Sequence, residues 1–415
     1  MPDDPREISI AGDGPPTAET YALADGQKLN VRVLTTLESL EELRPAWEEL
    51  LSQYPQSSIF SAWEWLAPWW RAFGADQQLH VLAFEDLSSR LVGLAPLSIS
   101  VHADLGKKWK ALRLMGDGSG DSDNLDVPVV PGCADRVALQ LLRYLEHQSS
   151  LWDFCEFNTL PAESWVANRL MSLLEEKGWS YSTGQTPRCS VSLPGDWEAY
   201  LAELSSKVRK NYKYYHRKFE KQPATRIYRC SSDADWLARL EELFELHQKR
   251  WQSEGQPGSF SSLTRRGFYQ DLSAVLLQRN WLEFWLLEID GKTVATDYGF
   301  RYGDTAYALQ AGFDLAHGLD SPGFYLKGRM LKALIESGVR RYDFLGGFTE
   351  SKARWNAQPS YYRHIHFALP GSRGTFYLAI RRDLRKGKEW LRRHLPETAW
   401  KFLHGFKARI RAHST

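Results

Sequence analysis

No stretch of this sequence is long and apolar enough to cross a bilayer, which takes ~20 consecutive apolar residues. Its four cysteines contain no Cys-x-x-Cys pair, and its charges nearly cancel, at a net +1 over 415 residues. Each absence removes a class of protein. Cys133, Cys155, Cys189 and Cys230 have neither disulfide-framework nor metal spacing and fit free, buried thiols in a reducing compartment. The balanced charge excludes whole-molecule electrostatic binding of nucleic acid, so any such role needs a local patch. The opening residues Met1-Pro2-Asp3-Asp4-Pro5 form neither a basic nor an apolar region, so no secretory leader is expected and the expected compartment is the cytoplasm. No Walker lysine and no complete Gly-x-Gly-x-x-Gly occurs. No Ser-His-Asp order or Cys-His pair points to a covalent acyl-enzyme.

What is present is a globular composition, 43% hydrophobic and 25% charged, on a chain longer than one core normally serves. Two domains are therefore expected. Seventeen Trp supply large rings for the core, or for clefts that take sugars or acyl chains.

Residues 1–27, rich in Pro, Gly, Asp and Thr, read as a disordered lead-in. A strand is predicted at 31–34, a helix over 37–51, and a packed aromatic helix within 58–73. Segments 79–84 and 91–99 read as a strand pair. Gly116 to Asp126 is a Gly- and Asp-rich segment that lacks the EF-hand spacing, so a solvated turn is expected rather than a calcium loop. Helices follow at 135–147 and 163–177, with a strand at 152–157 between them. Ser205 to Lys221 is a basic helix with Val208, Tyr212, Tyr215 and Phe219 on one face and Lys207, Arg209, Lys210, Lys213, Arg217 and Lys218 around it. Its cationic side could meet an RNA backbone, an anionic substrate, the phosphates of a cofactor, or only water. Two more helices are read at 233–253 and 263–278, then strands at 282–289, 293–301 and 361–369. His364 and His366 share one side of the last strand, but no third ligand is evident and no metal is expected. From Thr375 onward the chain is basic and amphipathic, with Trp390, Leu391, Trp400, Phe402, Leu403 and Phe406 among its apolar residues. This tail could lie on a membrane surface or a synthase complex, or pack back on the body.

The stretch Tyr307 to Trp355 is the most informative. A short apolar strand, Tyr307 to Phe313, leads through a polar loop to Ser321-Pro322-Gly323 and a helix ended by Gly338. Tyr342 to Leu345 is a second strand, running into the Gly346-Gly347 turn. This is a βαβ unit. Its helix start offers unpaired N–H groups to an anion, and Pro322 forfeits nothing there. A similar order of elements occurs earlier: Pro131-Gly132, a helix, then Trp152-Asp153-Phe154 parallels Pro322-Gly323, a helix, then Tyr342-Asp343-Phe344.

The Ser321-Pro322-Gly323 helix start, Tyr342-Asp343-Phe344 with Gly347, and the Ser351-Lys352-x-x-Trp355 tail together resemble the acyl-CoA-binding core of the GNAT acetyltransferases. The form is that of the FemAB-like and CelD-like branch, the latter linked to cellulose and exopolysaccharide synthesis. The resemblance implies an α/β fold with mixed sheets: two tandem GNAT-like units, 28–200 and 201–372, with a cleft between them and basic amphipathic helices over 373–415. It implies acetyl-CoA or another acyl-CoA as co-substrate, held by Ser321, Pro322, Gly323, Phe324, Tyr325 and Lys327. The strand Gln310, Ala311, Gly312 and Phe313 would pair with the pantetheine amides. Asp343 is the first candidate for base or acceptor anchor, with a turn-capping Asp as the alternative; Lys352 is the second, for an oxyanion or acidic acceptor. Trp355 would wall the cleft, His317 is a third candidate, and Asp117, Asp121, Arg209, Lys210 and Tyr212 are candidate acceptor contacts. The expected reaction is direct acyl transfer to an amine or hydroxyl of a sugar or related small acceptor. A FemAB-like transferase using aminoacyl-tRNA, with the basic helix on the RNA, and a non-catalytic GNAT-fold scaffold are the alternatives.

Overall fold

The computed structural model describes residues 18–21, 29–222, 224–231, 235–253, 255–256 and 258–394. Most of the lead-in, and Trp400, Phe402, Leu403 and Phe406 of the tail, lie outside them. One continuous sheet of eleven strands runs through the molecule. Its order is Thr225–Arg229, Leu282–Ile289, Lys292–Tyr302, Thr305–Phe313, Arg341–Gly346, Ser180–Ser192, Gln358–Ala368, Phe154–Pro161, Lys107–Leu114, Leu97–Asp104 and Gln77–Leu79. A smaller sheet holds Ala18–Tyr21, Leu29–Leu34, Val81–Glu85 and Leu91–Ala95.

The sequence echo is a structural one. Strand Thr305–Phe313, helix Pro322–Glu336 and strand Arg341–Gly346 form a parallel βαβ unit, and Lys107–Leu114, Ala134–His147 and Phe154–Pro161 form another. The two halves exchange their last strands. Ser180–Ser192 of the first half pairs with Arg341–Gly346 of the second, and Gln358–Ala368 of the second pairs with Phe154–Pro161 of the first. The exchanged strands pair with each other over eleven residues, which closes the sheet across the junction.

The pair read at 79–99 differs from its expected form. Each arm bends from the large sheet into the small one, at His80 and at Pro96, and Pro96 has no N–H to continue a ladder. The aromatic segment forms a short 3-10 turn at Ile59–Ser61 and a helix at Trp63–Phe73. Its Phe60 meets Trp65, Phe300 and Tyr307 edge-on at 4.6, 5.7 and 5.9 Å, so rings of the first half fill the junction with the second.

The Gly- and Asp-rich segment is not the solvated turn its composition suggests. Asp121, Asn124 and Asp126 are buried. Asp126 accepts from Tyr54 Oη and Ser164 Oγ, both at 2.5 Å, and Asp121 accepts from Arg265 Nε at 2.8 Å and Tyr269 Oη at 3.0 Å. Arg265 also reaches the Ser119 carbonyl. Partners from distant helices thus carry a polar loop into the interior, where each buried carboxylate is hydrogen-bonded.

Candidate active site

The cleft forms where two parallel strands part. Thr305, Ala306 and Tyr307 pair with Arg341, Tyr342 and Asp343, and there the pairing ends. Ala308 to Phe313 keeps only its ladder to Lys292–Tyr302, interrupted by a bulge at Leu309, so its other edge is open. On the opposite wall Leu345 takes a left-handed φ of 58° and turns the chain away. The opening has a volume of about 710 Å³. It is lined by Gln310, Ala311, Gly312 and Phe313, by Ser321, Pro322, Gly323, Phe324 and Lys327, by Phe344, Leu345 and Gly346, and by Lys352, Arg354 and Trp355. From the first half come Gly120, Asp121 and Asp123. The structure therefore gathers most of the residues expected to hold the co-substrate.

Their individual roles are narrower than the sequence suggested. Ser321 sits in the left-handed region (φ 48°), and its carbonyl accepts from both Phe324 N and Tyr325 N at 3.1 Å. Pro322 has no N–H. Among the described residues, Gly323 N–H is then the amide this helix start leaves for an anion. A side-chain carbon at Gly323 would meet only Phe313, 4.0 Å away, so its surface faces open space. Tyr325 is in the core, stacked on Phe219 at 4.7 Å. Phe324 stacks on the buried Trp355 at 4.8 Å and forms the apolar wall. Lys327 is committed to Asp297, 2.6 Å away, and to Tyr342 Oη at 2.5 Å, which spends much of its charge before any phosphate arrives. Burial holds the Asp297 carboxyl above the usual range, and Lys327 pulls it back.

Asp343 does not face this cleft. Alternation along the strand turns it to the opposite side, where it bonds Arg188 Nη2 at 2.8 Å and accepts from Leu345 N at 2.8 Å. Both side chains are almost wholly buried. This is the turn-capping alternative, reinforced by a buried ion pair. Lys352 lines the cleft, but its ammonium donates to the carbonyls of Phe344, Gly346 and Gly347 at 2.8, 2.5 and 3.1 Å. Its three hydrogens are used in holding that turn. Burial pulls its pKa down.

A further cleft residue, not among those expected from the sequence, is Asp123. It lines the cleft and accepts from Gly346 N at 3.0 Å. Burial pushes its carboxyl up to about 6, against the lowering pull of that amide. A carboxylate near neutrality, in an opening between two units, is placed for proton abstraction. The signal in the sequence was the Asp cluster itself; the loop that brings Asp121 and Asp123 to the cleft takes positive φ at Gly116, Gly118, Gly120 and Asn124.

Of the remaining candidates Asp121 also lines the cleft, and the others sit elsewhere. Asp117 bonds Asn158 Nδ2 at 3.0 Å, and Asp121 positions its loop through Arg265 and Tyr269. Tyr212 is buried between Trp197 and the helix at Gly328. Arg209 donates to the carbonyls of Ala202 and Leu204, while Lys210 is exposed on the outer face of helix Ser206–Glu220. His317 lies 3.8 Å from Asp314, outside the cleft lining. His364 Nδ1 and His366 Nε2 do share a side of their strand, and both meet Asn158 Oδ1, at 3.1 and 3.0 Å. Among the described residues no group of three or more His, Cys, Asp or Glu is arranged to hold a metal ion.

Residues 206–353 match the family described as an acetyltransferase (GNAT) domain. No curated protein matches the chain. Among solved structures, FemX superposes with a TM-score of 0.59 at 10% identity, covering 79% of this chain and 96% of that one. A tandem GNAT protein from the clavulanic acid biosynthesis pathway gives 0.48 at 14% identity, over 83% and 100%. The C-terminal domain of a putative lysylphosphatidylglycerol synthetase from Agrobacterium fabrum gives 0.48 at 10% identity, over 82% and 95%.

Proposed function

We propose that this chain, an acyltransferase of two tandem GNAT-fold units, moves an acetyl or other acyl group from acyl-coenzyme A directly to an amine or hydroxyl of a sugar or related small acceptor. The observation that carries the reading is Asp123, a carboxylate raised to about 6 at the opening of the parted strands. The cleft residues fit such a donor: an amide and open space at Gly323, an apolar wall of Phe324 and Trp355, and an unpaired strand edge at Gln310 to Phe313. Acyl-coenzyme A, when bound, supplies the activated thioester carbon.

In this account Asp123 takes the proton of the acceptor nitrogen or oxygen as that atom bonds to the thioester carbon. The open amides of the Gln310–Phe313 edge stabilise the negative oxygen that develops. The carbon–sulfur bond then breaks, and the thiolate leaves with a proton from the protonated Asp123 or from water. Lys352 keeps the 344–347 turn, and so the Gly346 amide, where it orients Asp123. An exopolysaccharide or envelope setting of the CelD-like kind is the acceptor context we propose. The test is release of free thiol from acetyl-CoA in the presence of a panel of amino sugars and polyols, with Asp123→Asn as control. Acceptor-dependent thiol release that the variant loses supports the reading, and acceptor-independent or variant-insensitive release rejects it.

A second reading keeps aminoacyl-tRNA as donor. It is favoured by one observation: the helix start supplies a single amide, while Lys207, Lys210, Lys213 and Arg217 stand exposed on a helix whose Tyr215 packs against Phe324 at the cleft mouth. Salt-sensitive tRNA binding with no response to acetyl-CoA would select it.

A further inference from the structure

The charge of this chain is divided. Residues 373–415 contain twelve Lys and Arg against three Asp and Glu, a net +9 in a chain whose total is +1, so residues 1–372 carry a net −8. The described part of this basic segment is helix Arg373–His394.

One side of the helix is fixed to the body. Tyr377 is buried, stacks on Trp109 at 4.2 Å and donates to Asp104 Oδ2 at 2.7 Å. Arg373 lies over the Trp109 ring and bonds Asp153 at 3.0 Å, and Arg381 bonds Glu156 at 2.5 Å. The start is seated so closely that a side-chain carbon at Gly374 would lie 1.7 Å from the Asp153 carbonyl. Outside these contacts the helix has no such cover. Phe376, Leu384 and Trp390 are 67%, 58% and 59% exposed. At 3.6 residues per turn the three fall within about 120° of arc. Asp383 in the same arc is paired with Arg382, and Arg382 and Lys386 stand exposed to one side of it. Large apolar rings exposed in a stripe flanked by cations suit the boundary of a bilayer carrying anionic headgroups.

We propose that helix Arg373–His394 docks the protein on an anionic phospholipid surface. Phe376, Leu384 and Trp390 enter the headgroup region, and the flanking basic side chains meet lipid phosphates and carboxylates. The acidic body is repelled by the same surface, so the contact is confined to this segment and the molecule is held in one orientation. RNA is the less suitable partner, because a phosphate backbone has no use for an exposed Leu and Phe in one stripe, whereas a lipid interface takes both. The inference stands apart from the identity of the acyl donor.

The test is co-sedimentation of the full chain with vesicles of phosphatidylcholine, alone or mixed with phosphatidylserine. Binding is expected only to the mixed vesicles. It should weaken as salt is raised from about 0.1 M to about 1 M, where the screening length shrinks from ~10 Å to ~3 Å. The variant F376S/L384S/W390S changes only exposed side chains and should keep the wild-type Tm while losing vesicle binding by at least tenfold. Equal sedimentation with and without phosphatidylserine, or a folded triple variant that binds as well as wild type, overturns the proposal. Salt-sensitive binding of tRNA that the triple variant retains, with no vesicle binding, also overturns it and assigns the basic tail to nucleic acid.

Discussion

The amide of Gly346 donates to Oδ2 of Asp123 at 3.0 Å, joining a loop of the first half to the end of a strand in the second. The bond orients the carboxylate across the cleft, and Lys352 secures the turn that supplies it. The candidate base is therefore assembled only when the two halves are together.

If Asp123 is the base, activity requires its carboxylate. The rate should rise with pH and level off above about 6, since burial raises this group and the protonated form cannot accept a proton. Asp123→Asn should lower kcat roughly 10²- to 10⁴-fold and remove the inflection. A pH–rate profile of both proteins decides it; an inflection that persists in the variant would belong to another group.

Asp343 should matter for stability rather than chemistry. Its partner Arg188 and itself are 6% and 2% exposed at the side chain, and losing one member of such a pair costs about 3–5 kcal/mol. Asp343→Asn should shift the denaturation midpoint strongly while kcat per folded molecule stays near the wild-type value. A stably folded but inactive variant would return Asp343 to the reaction.

Gly328 is where helix Pro322–Glu336 meets helix Ser206–Glu220. A side-chain carbon there would lie 2.3 Å from Tyr212 Cε2 and 3.2 Å from Trp355. Alanine in a helix normally gains up to ~1 kcal/mol over glycine. Here overpacking of a buried ring should win, at about 1–3 kcal/mol net loss, read by urea denaturation. A stabilised Gly328→Ala would show that the basic helix is loosely docked.

His366 should remain neutral well below its ordinary range, because burial lowers it to about 4 from 6.5. The unfolded chain takes up the proton first. Its contribution is complete above pH 6.5 and is lost as pH falls toward 4. Titration of the ring by NMR should give the low value, and His366→Asn should make stability fall less steeply over that window than in wild type.

The legible parts of this fold were those with local signals. Ser321-Pro322-Gly323, Gly338 and the apolar strands around them mark the βαβ unit, and its repeat at residues 131–157 was visible in the order of elements. Four strands left no such trace: Ala18–Tyr21, which lies in the segment expected to be disordered, Lys107–Leu114, Ser180–Ser192 and Thr225–Arg229. Lys107–Leu114 begins with exposed lysines, and Ser180–Ser192 carries Gly184 and Pro187 among polar residues, although it is central in the sheet. Its position comes from pairing with residues 341–346 and 358–368, far along the chain. The site followed the same rule. The loop and strand of one half were readable, whereas Asp123 is held there by Gly346 and its loop by the bonds of Arg265 and Tyr269 to Asp121, all from residues far away in sequence.

The central claim, that the opening between the parted strands binds an acyl-coenzyme A, is tested most directly by thermal unfolding against an acetyl-CoA concentration series. At a hundred times its Kd the ligand should add about 2.7 kcal/mol of stability, raising Tm, and Gly323→Trp should abolish the shift by filling the open space at the helix start. A Tm that does not move at any concentration, or a shift that survives in Gly323→Trp, would contradict the account.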